Sequence, residues 1–212
     1  GTSNAIGFAA LEASVSLTAQ ILARDGRDAI WRHANEWIDR LDAERGAVLA
    51  SSYEYPGRYT RWDTAMIDPP LGITARGREM TIEAFNARGE VLLEPIHDAL
   101  KDVAEIKSLS ASGKSLNVTI SEPEHIFREE ERSRAPSVFS VLRAIIAVFK
   151  TDQDRNLALY GAFGYDLTFQ FDPIDFHLER PKDQRDLVLY LPDEILVVDH
   201  HAAKAWHVRY EF

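Results

Sequence analysis

Two short strand-like runs flank a loop rich in aromatic and basic residues between positions 47 and 70, and this stretch constrains the fold most strongly. The first run, residues 47–50, is apolar and short enough to be a buried strand. The second run, residues 64–67, is also strand-like. It leads into Asp68, Pro69 and Pro70, which must turn because proline has no N–H to donate to a strand ladder. The pattern therefore predicts two strands with a loop between them.

The loop between these runs has a composition that is unusual for a turn. Turns are ordinarily formed by Gly, Pro, Asn, Asp and Ser, whereas this loop also carries aromatic and basic residues, namely Tyr53, Tyr55, Arg58, Tyr59, Arg61 and Trp62. Aromatic rings at the mouth of two strands can stack on the apolar part of a small zwitterion, while arginine and serine hold its carboxylate. The same residues are equally compatible with aromatics that cap the edge of a core.

Two segments carry a resemblance to a known family. Residues 53–73, YEYPGRYTRWDTAMIDPPLGI, and residues 159–171, LYGAFGYDLTFQF, resemble anthranilate synthase component I. The resemblance is to the variant whose synthase and glutamine amidotransferase portions share one polypeptide. Wider relatives are aminodeoxychorismate synthase and the aminodeoxyisochorismate synthase of phenazine pathways. The resemblance runs from about Gly46 to Phe212 and concerns the amino-terminal, regulatory half of the family.

The resemblance implies a regulatory tryptophan site in the aromatic loop. Ser51 matches the serine of the family's Leu-Leu-Glu-Ser motif, which lines the tryptophan pocket, and residues 59–63 match a Tyr-Ser-Arg-Phe-Asp stretch that borders it. The site residues implied are Ser51, Tyr59, Thr60, Arg61 and Trp62. Ala50 stands where many relatives have an acidic residue, so a contact to the ligand's ammonium group is missing. Whether tryptophan feedback is retained therefore stays open.

Residues 161–166, Gly-Ala-Phe-Gly-Tyr-Asp, superficially resemble a phosphate-binding loop. They lack the G-x-G-x-x-G spacing, the lysine and the following helix that such a loop requires. By resemblance they are the family's Gly-Tyr-Asp strand motif, in which the aspartate forms anchoring hydrogen bonds. The residues expected to play a structural part are Asp63, Gly161, Gly164, Tyr165 and Asp166.

The sequence shows no catalytic site of its own. In the family, ammonia adds to chorismate and pyruvate is eliminated, with Mg²⁺ holding the substrate in a carboxy-terminal chorismate-binding domain. The hallmarks of that domain, Asn-Pro-Ser-Pro-Tyr and Gly-Thr-x-Arg-Arg-Gly, do not occur in this sequence. We therefore expect no catalytic residue, metal ligand or cofactor in this chain, and Mg²⁺ in the missing domain. Residues 1–212 are expected to form a single amino-terminal regulatory and scaffold domain, inactive alone.

Two groups of possible metal ligands are better interpreted as turns. They are Asp199, His200 and His201, which are similar to the motif of Asp-His-His phosphoesterases, and Asp172, Asp175 and His177. Adjacent residues on a strand point to opposite faces, and no companion acidic motif accompanies the first group. Carboxylates that flank a proline, as in the second group, are ordinary turn formers.

Charge and composition narrow the classes of partner. The formal net charge of −10 disfavours nucleic acid and anionic membrane surfaces. The chain has no cysteine, which excludes disulfides and thiolate metal sites. No apolar run approaches the ~18 residues that a membrane span needs. The expected setting is the cytoplasm, and the expected partners are the catalytic domain of the same polypeptide, a glutamine amidotransferase domain or subunit, and tryptophan as effector.

The periodicity predicts an α+β fold, a mostly antiparallel sheet with helices packed on one face. Helices are predicted at 27–45, where Gly46 would end the helix, at 91–103, and after Ser137 as its cap. Besides the runs already described, strands are predicted at 13–19, 71–75, 79–85, 106–109, 116–120, 187–191, 194–198 and 205–210, with 157–171 rich in strand. Two alternatives remain open: the same domain of an enzyme with another aminated product, and a free-standing module that binds an amino acid.

Overall fold

The computed structural model describes residues 14–16, 20–21, 35–50, 61–123, 130–131, 135–150, 156–202 and 204–212. The chain divides into two compact units. Unit 1 comprises Gly1–Pro69, Thr151–Ala158 and Pro192–Phe212, and unit 2 comprises Pro70–Lys150 and Leu159–Leu191. The single domain predicted for 1–212 stays a prediction.

Unit 1 contains a six-stranded sheet in which every pairing is antiparallel. The order is β1-β12-β11-β4-β3, and β2 pairs with β12 as well. The strands are β1 (Ser14–Ser16), β2 (Gln20–Ile21), β3 (Gly46–Leu49), β4 (Trp62–Ile67), β11 (Glu194–Asp199) and β12 (Lys204–Glu211). The two strands predicted around the aromatic loop are thus present as β3 and β4, paired with each other.

A small core covers one face of this sheet. Its buried members come from β4, β11, β12 and a helical segment at 35–40, and they are Trp37, Ala65, Ile67, Leu196, Val198 and Ala205. The tryptophan belongs to the helix predicted at 27–45, of which residues 27–34 lie outside the described part of the chain.

The predicted end of that helix was wrong. The helical residues stop at Arg40, a turn follows, and Gly46 begins β3 instead of ending the helix. The reason is a close approach of strands: a Cβ at Gly46 would overlap the carbonyl oxygen of Met66 on β4. The glycine therefore serves strand pairing, which is a contact that helix-ending patterns cannot register.

Unit 2 contains a second six-stranded antiparallel sheet, in the order β7-β8-β6-β5-β10-β9. Its strands are β5 (Leu71–Arg76), β6 (Glu79–Ala84), β7 (Ile106–Ser112), β8 (Ser115–Ile120), β9 (Tyr160–Phe163) and β10 (Leu187–Leu191). The predicted hairpin at 106–120 is present, with longer strands than expected and a turn of only Gly113 and Lys114.

Two α-helices lie among the described residues of unit 2. Helix α1 (Ala87–Leu100) packs against β6, β7, β8 and helix α2 (Val138–Phe149), and its apolar stripe of Leu92, Ile96 and Leu100 is fully buried. The α+β class with antiparallel strands is confirmed, although the strands form two sheets instead of one. Among the described residues, no helix is long and apolar enough to cross a bilayer.

The start of α2 differs from the prediction. Ser137 occupies the N-cap position, but its hydroxyl makes no capping hydrogen bond. The side-chain oxygen of Gln170 accepts the N–H of Val138 at 3.2 Å instead, and the amide nitrogen of the same glutamine donates to the carbonyl of Gly77 at 2.6 Å. A residue 32 positions away therefore caps the helix, which no local sequence pattern can indicate.

Candidate functional site

The structure describes two of the five residues predicted for the tryptophan site. Arg61 and Trp62 lie at the start of β4, whereas Ser51, Tyr59 and Thr60 lie outside the described residues. Of the flanking strands, β3 is at an edge of the unit 1 sheet as described. Convergence of all five side chains on one pocket stays a prediction.

Arg61 forms an ion pair with the last residue of β11. Its Nη2 donates to Oδ2 of Asp199 at 3.0 Å, and its Nε lies 3.3 and 3.4 Å from the two carboxylate oxygens. The register of β4 and β11 brings them together, because Asp199 is the partner of Trp62, the residue after Arg61. The arginine side chain is 57% exposed and the aspartate side chain only 4%. The exposed cation is therefore attached to a buried anion.

The guanidinium of Arg61 also lies over the neighbouring indole. Its central carbon is 4.6 Å from the ring centroid of Trp62, a cation–π contact. Trp206 on β12 meets the same indole edge to face at 5.8 Å. One face of Trp62 is thus covered by the arginine, and the side chain as a whole remains 45% exposed.

Asp199 also organises the turn that follows β11. Its Oδ1 accepts the backbone N–H groups of His201 and Ala202, each at 3.0 Å. The hydrogen bond from Arg61 holds the pKa of this carboxyl below its usual value, against the opposing effect of burial, and the two backbone donors add to the shift. The group is therefore a carboxylate at neutral pH, with donors on both oxygens.

Asp63, predicted to be structural, contacts the same turn. Its Oδ2 lies 2.6 Å from Nε2 of His200, while the backbone N–H of His200 donates to the carbonyl of Arg61 at 2.8 Å. Its Oδ1 is buried and has no hydrogen-bond partner within the described ranges. Residues 61 and 63 are thus both tied to the turn at 199–202.

Asp199 and His200 are the residues that sequence reasoning missed at this site. The Asp-His-His motif was interpreted as a turn, and a turn at 200–202 is what the structure contains. The contact of this motif with Arg61, at the end of the aromatic loop, was not predicted, because Arg61 and Asp199 are 138 positions apart. Only the pairing of β4 with β11 brings them together.

The second segment of the resemblance, at 159–171, begins as a strand and ends as a helix. β9 stops at Phe163, and residues Tyr165–Gln170 form a 3₁₀ helix, so the predicted strand motif was wrong for Tyr165 and Asp166. The change occurs at Gly164, whose N–H donates to the carbonyl of Asp186 at 2.6 Å before the helical bonds begin. Gly161 lies within β9.

Asp166 is held by side chains from the following loop. Its Oδ2 accepts Nε2 of Gln184 at 2.7 Å and lies 3.1 Å from Nε of Arg180. Arg180 also pairs with the buried Asp186. Tyr165 is 79% exposed, so its side chain is not buried with this network. The structural role predicted for the motif stays a prediction.

Comparison with known proteins links the chain to one enzyme. It is 46% identical over 198 residues to anthranilate synthase of Azospirillum brasilense, a match that covers 93% of this chain and 26% of that protein. The chain is homologous to part of anthranilate synthase component I. It is also 31% identical over 157 residues to anthranilate synthase component 1 of Vibrio cholerae, covering 72% of this chain and 29% of that protein.

A third relative carries a more specialised name. Anthranilate synthase component 1, pyocyanine specific, of Pseudomonas aeruginosa is 26% identical over 176 residues, covering 83% of this chain and 31% of that protein. No family model matches the chain. The chain thus spans between 26% and 31% of the length of these anthranilate synthases. The resemblance to anthranilate synthase component I is confirmed.

The possible metal ligands in the loop after the 3₁₀ helix do not form a site. Asp172, Asp175 and His177 lie in irregular backbone, and no group of three metal-binding side chains occurs in the described part of the chain. A groove of about 580 Å³ nearby is lined by Arg76 and by residues 176–180 and 182. Arg76 donates to the carbonyls of Lys182 and Arg180. This arginine therefore fastens the loop on which the groove is built.

Proposed function

We propose that this chain is the amino-terminal domain of an anthranilate synthase. That enzyme converts chorismate and glutamine or ammonia into anthranilate and pyruvate, the first step of tryptophan biosynthesis. The observation that carries the proposal is the 46% identity to the Azospirillum enzyme over 93% of the chain. Both units would belong to one regulatory and scaffold domain spanning 1–212.

Catalysis would belong to the part of the enzyme outside this chain. The described residues contain no group of three metal-binding side chains, and the sequence lacks the family's chorismate-binding motifs. Mg²⁺ would be held, with chorismate, by residues of the catalytic domain. The carbon–oxygen lyase activity is thus a property of the complete protein, and the chain alone would turn over no chorismate.

Tryptophan is the proposed effector, bound by Ser51, Tyr59, Thr60, Arg61 and Trp62. Support comes from the two described members: Arg61 offers an exposed guanidinium for a carboxylate, and Trp62 is half-exposed beside it. Because Ala50 lacks the carboxylate found in many relatives, the affinity is expected to be modest. Losing one charge-assisted hydrogen bond costs about 1.5–3 kcal/mol, or roughly ten- to a hundred-fold in affinity.

The proposed partner of unit 2 is the catalytic domain of the same polypeptide. Seven large apolar side chains in the described part of this unit are about half or more exposed, namely Val91, Ile146, Phe163, Tyr165, Ile174, Phe176 and Leu178. Where such side chains form one contiguous patch on a soluble protein, the patch marks an interaction surface. An isolated chain with this surface would tend to self-associate.

A fused glutamine amidotransferase domain is the second proposed partner. The match covers more residues of the Azospirillum protein than of the Vibrio protein, yet it is a smaller share of its length. The Azospirillum enzyme is therefore longer, by roughly the size of a further domain. We expect the same arrangement here, in the cytoplasm, without nucleic acid or membrane partners.

The test compares the complete protein with the 212-residue chain. Anthranilate fluorescence should rise with chorismate, Mg²⁺ and glutamine or ammonia for the complete protein, and stay flat for the chain. Activity of the purified chain would refute the assignment of catalysis to the absent part. Calorimetry of tryptophan binding to the complete protein should show loss of binding in Ser51→Phe, which fills the proposed pocket. Unchanged binding in that variant would place the effector elsewhere.

An enzyme of a phenazine pathway, making aminodeoxyisochorismate, is the second candidate. One relative of this chain is named pyocyanine specific, and that relative is itself named anthranilate synthase component 1. Aminodeoxychorismate is a third. Chromatographic identification of the product that the complete protein makes from chorismate distinguishes these from anthranilate. A reading frame that ends at Phe212 would favour a free-standing amino-acid-binding module.

A further inference from the structure

The ion pair of Arg61 and Asp199 differs from an otherwise similar pair in the same unit. Arg40 also makes a forked contact to a carboxylate, with Nε 2.9 Å and Nη2 3.0 Å from the oxygens of Glu44, and it also lies over a tryptophan, Trp37. Both partners in that pair are 40% or more exposed. Asp199, in contrast, is almost completely buried.

A buried carboxylate is unfavourable unless all of its oxygens are paired. Asp199 satisfies this condition, because Oδ2 accepts from Arg61 and Oδ1 accepts from the N–H groups of His201 and Ala202. The aspartate is thus fixed from the turn side, and it presents a rigid acceptor to the arginine. The position of the arginine follows from that of the turn.

Within the described residues, the other donors of Arg61 are not used by the pair with Asp199. A guanidinium is planar and carries five N–H groups, and the aspartate engages the edge formed by Nε and Nη2. No hydrogen bond within the described residues uses Nη1. Trp62 supports the plane from one face, and the side chain is more than half exposed. The cation is therefore oriented in advance, which reduces the entropy lost when it binds an anion.

We propose that Asp199 is a positioning residue, which holds Arg61 so that its outer N–H groups bind the carboxylate of an α-amino acid. The inference rests on the proposed effector site and extends it to a residue 138 positions away in sequence. Asp199 does not touch the ligand. It acts through the guanidinium, and the turn at 199–202 becomes part of the regulatory site.

The experiment measures calorimetric binding of L-tryptophan and of tryptamine, which lacks the carboxylate, to the complete protein. Arg61→Gln should weaken tryptophan binding by roughly ten- to a hundred-fold and leave tryptamine unchanged. Asp199→Asn should weaken tryptophan binding by roughly tenfold, within the range of couplings found in one ion-pair network. Adding Asp199→Asn to Arg61→Gln should cause no further loss. Arg40→Gln, the matched control, should bind as wild type does.

The outcomes separate the inference from the proposed function. If the wild type binds tryptophan and Arg61→Gln binds it equally well, the positioning inference is wrong and the regulatory function survives. The inference also fails if Asp199→Asn weakens tryptamine as much as tryptophan, or weakens tryptophan further in the Arg61→Gln background, since either result marks a structural role. If the wild type binds no tryptophan, both the proposed effector and the inference fall. Thermal unfolding of each variant identifies any that do not fold. If Asp199→Asn does not fold, the tenfold prediction is tested with Asp199→Glu, which keeps the negative charge but displaces it.

Discussion

The imidazole of His200, in the turn after β11, and the carboxylate of Asp63, on β4, lie 2.6 Å apart from Nε2 to Oδ2. The two side chains are 137 positions apart in sequence and both are partly buried. With the backbone hydrogen bond from His200 to Arg61, the contact fastens the turn to the first residues of β4. It thereby stabilises the end of the strand that carries the candidate site.

Loss of this contact should weaken unit 1. We expect His200→Ala to lower the free energy of unfolding by about 1 kcal/mol, the usual contribution of one side-chain hydrogen bond. His201→Ala is the matched control, because that side chain is exposed and only its backbone N–H contacts Asp199. Urea unfolding of the two variants gives the comparison. Equal effects of the two substitutions would mean that the contact to Asp63 adds no stability.

The ion pair beside it should make stability depend on pH in the acid range. Because Arg61 lowers the pKa of Asp199 below its ordinary value of 3.8, the carboxylate stabilises the fold at any pH above that value. The contribution is lost as the pH falls below 3.8 through the folded-state pKa. Asp199→Asn should therefore cost about 1–3 kcal/mol at neutral pH, and the difference from wild type should shrink below about pH 4.

Urea unfolding of both proteins between about pH 7 and pH 2.5 measures that difference. The other carboxyls with lowered pKa, Glu44 and Asp98, are present in both proteins, so their effects cancel in the comparison. A difference that stays constant through the acid range would show that Asp199 is not an ionised partner of Arg61.

Local patterns in the sequence predicted the elements well and their partners poorly. Leu92, Ile96 and Leu100 are spaced as one helical face, and all three are fully buried, because helical periodicity depends only on neighbouring residues. The start of the same helix was placed too late. The structure begins it at Ala87, and the side chain of Asn86 caps its first turn by accepting the N–H of Gly89.

At the candidate site, local sequence patterns predicted the interaction partners even less well. The sequence and the resemblance indicated Arg61 and Trp62. They did not indicate Asp199, which holds Arg61, or His200, which contacts the neighbouring Asp63. Ionic and hydrogen-bond partners are chosen by strand register, and the order β12-β11-β4 could not be read from periodicity. A charged residue directly after a predicted strand was the available signal, and it fits too many turns to be specific.

The third prediction concerns the cap of α2. The sequence suggests that Ser137 caps this helix, whereas in the structure Gln170 accepts the first N–H. Ser137 occupies the cap position, but its buried hydroxyl has no partner in the described part of the chain. Ser137→Ala should therefore not lower stability, because it removes a buried polar group that has no hydrogen bond to lose. Gln170→Leu should cost about 2–4 kcal/mol, because it leaves the N–H of Val138 and the carbonyl of Gly77 without their partner.

Thermal or urea unfolding of the two variants checks this assignment. A serine that caps the helix would show the reverse order, since loss of a true cap costs about 0.5–2 kcal/mol. Retention of the helical signal in Ser137→Ala, measured by circular dichroism, is the accompanying expectation. A cost for Ser137→Ala that exceeds that of Gln170→Leu would contradict the structure at this point.

The last prediction concerns the close approach of β9 and β10 at Gly161. This residue pairs with Leu189, its φ of +155° is one that side-chain-bearing residues rarely adopt, and a Cβ there would overlap the carbonyl oxygen of Val188. Gly113, in the turn between β7 and β8, has a φ of +57° and no atom within 4 Å of a built Cβ. Gly113→Ala should therefore cost only the backbone strain of about 1–2 kcal/mol. Gly161→Ala adds a clash between strands and should cost at least about 2 kcal/mol more. Urea midpoints of the two variants decide the matter, and equal losses would mean that β9 does not lie this close to β10.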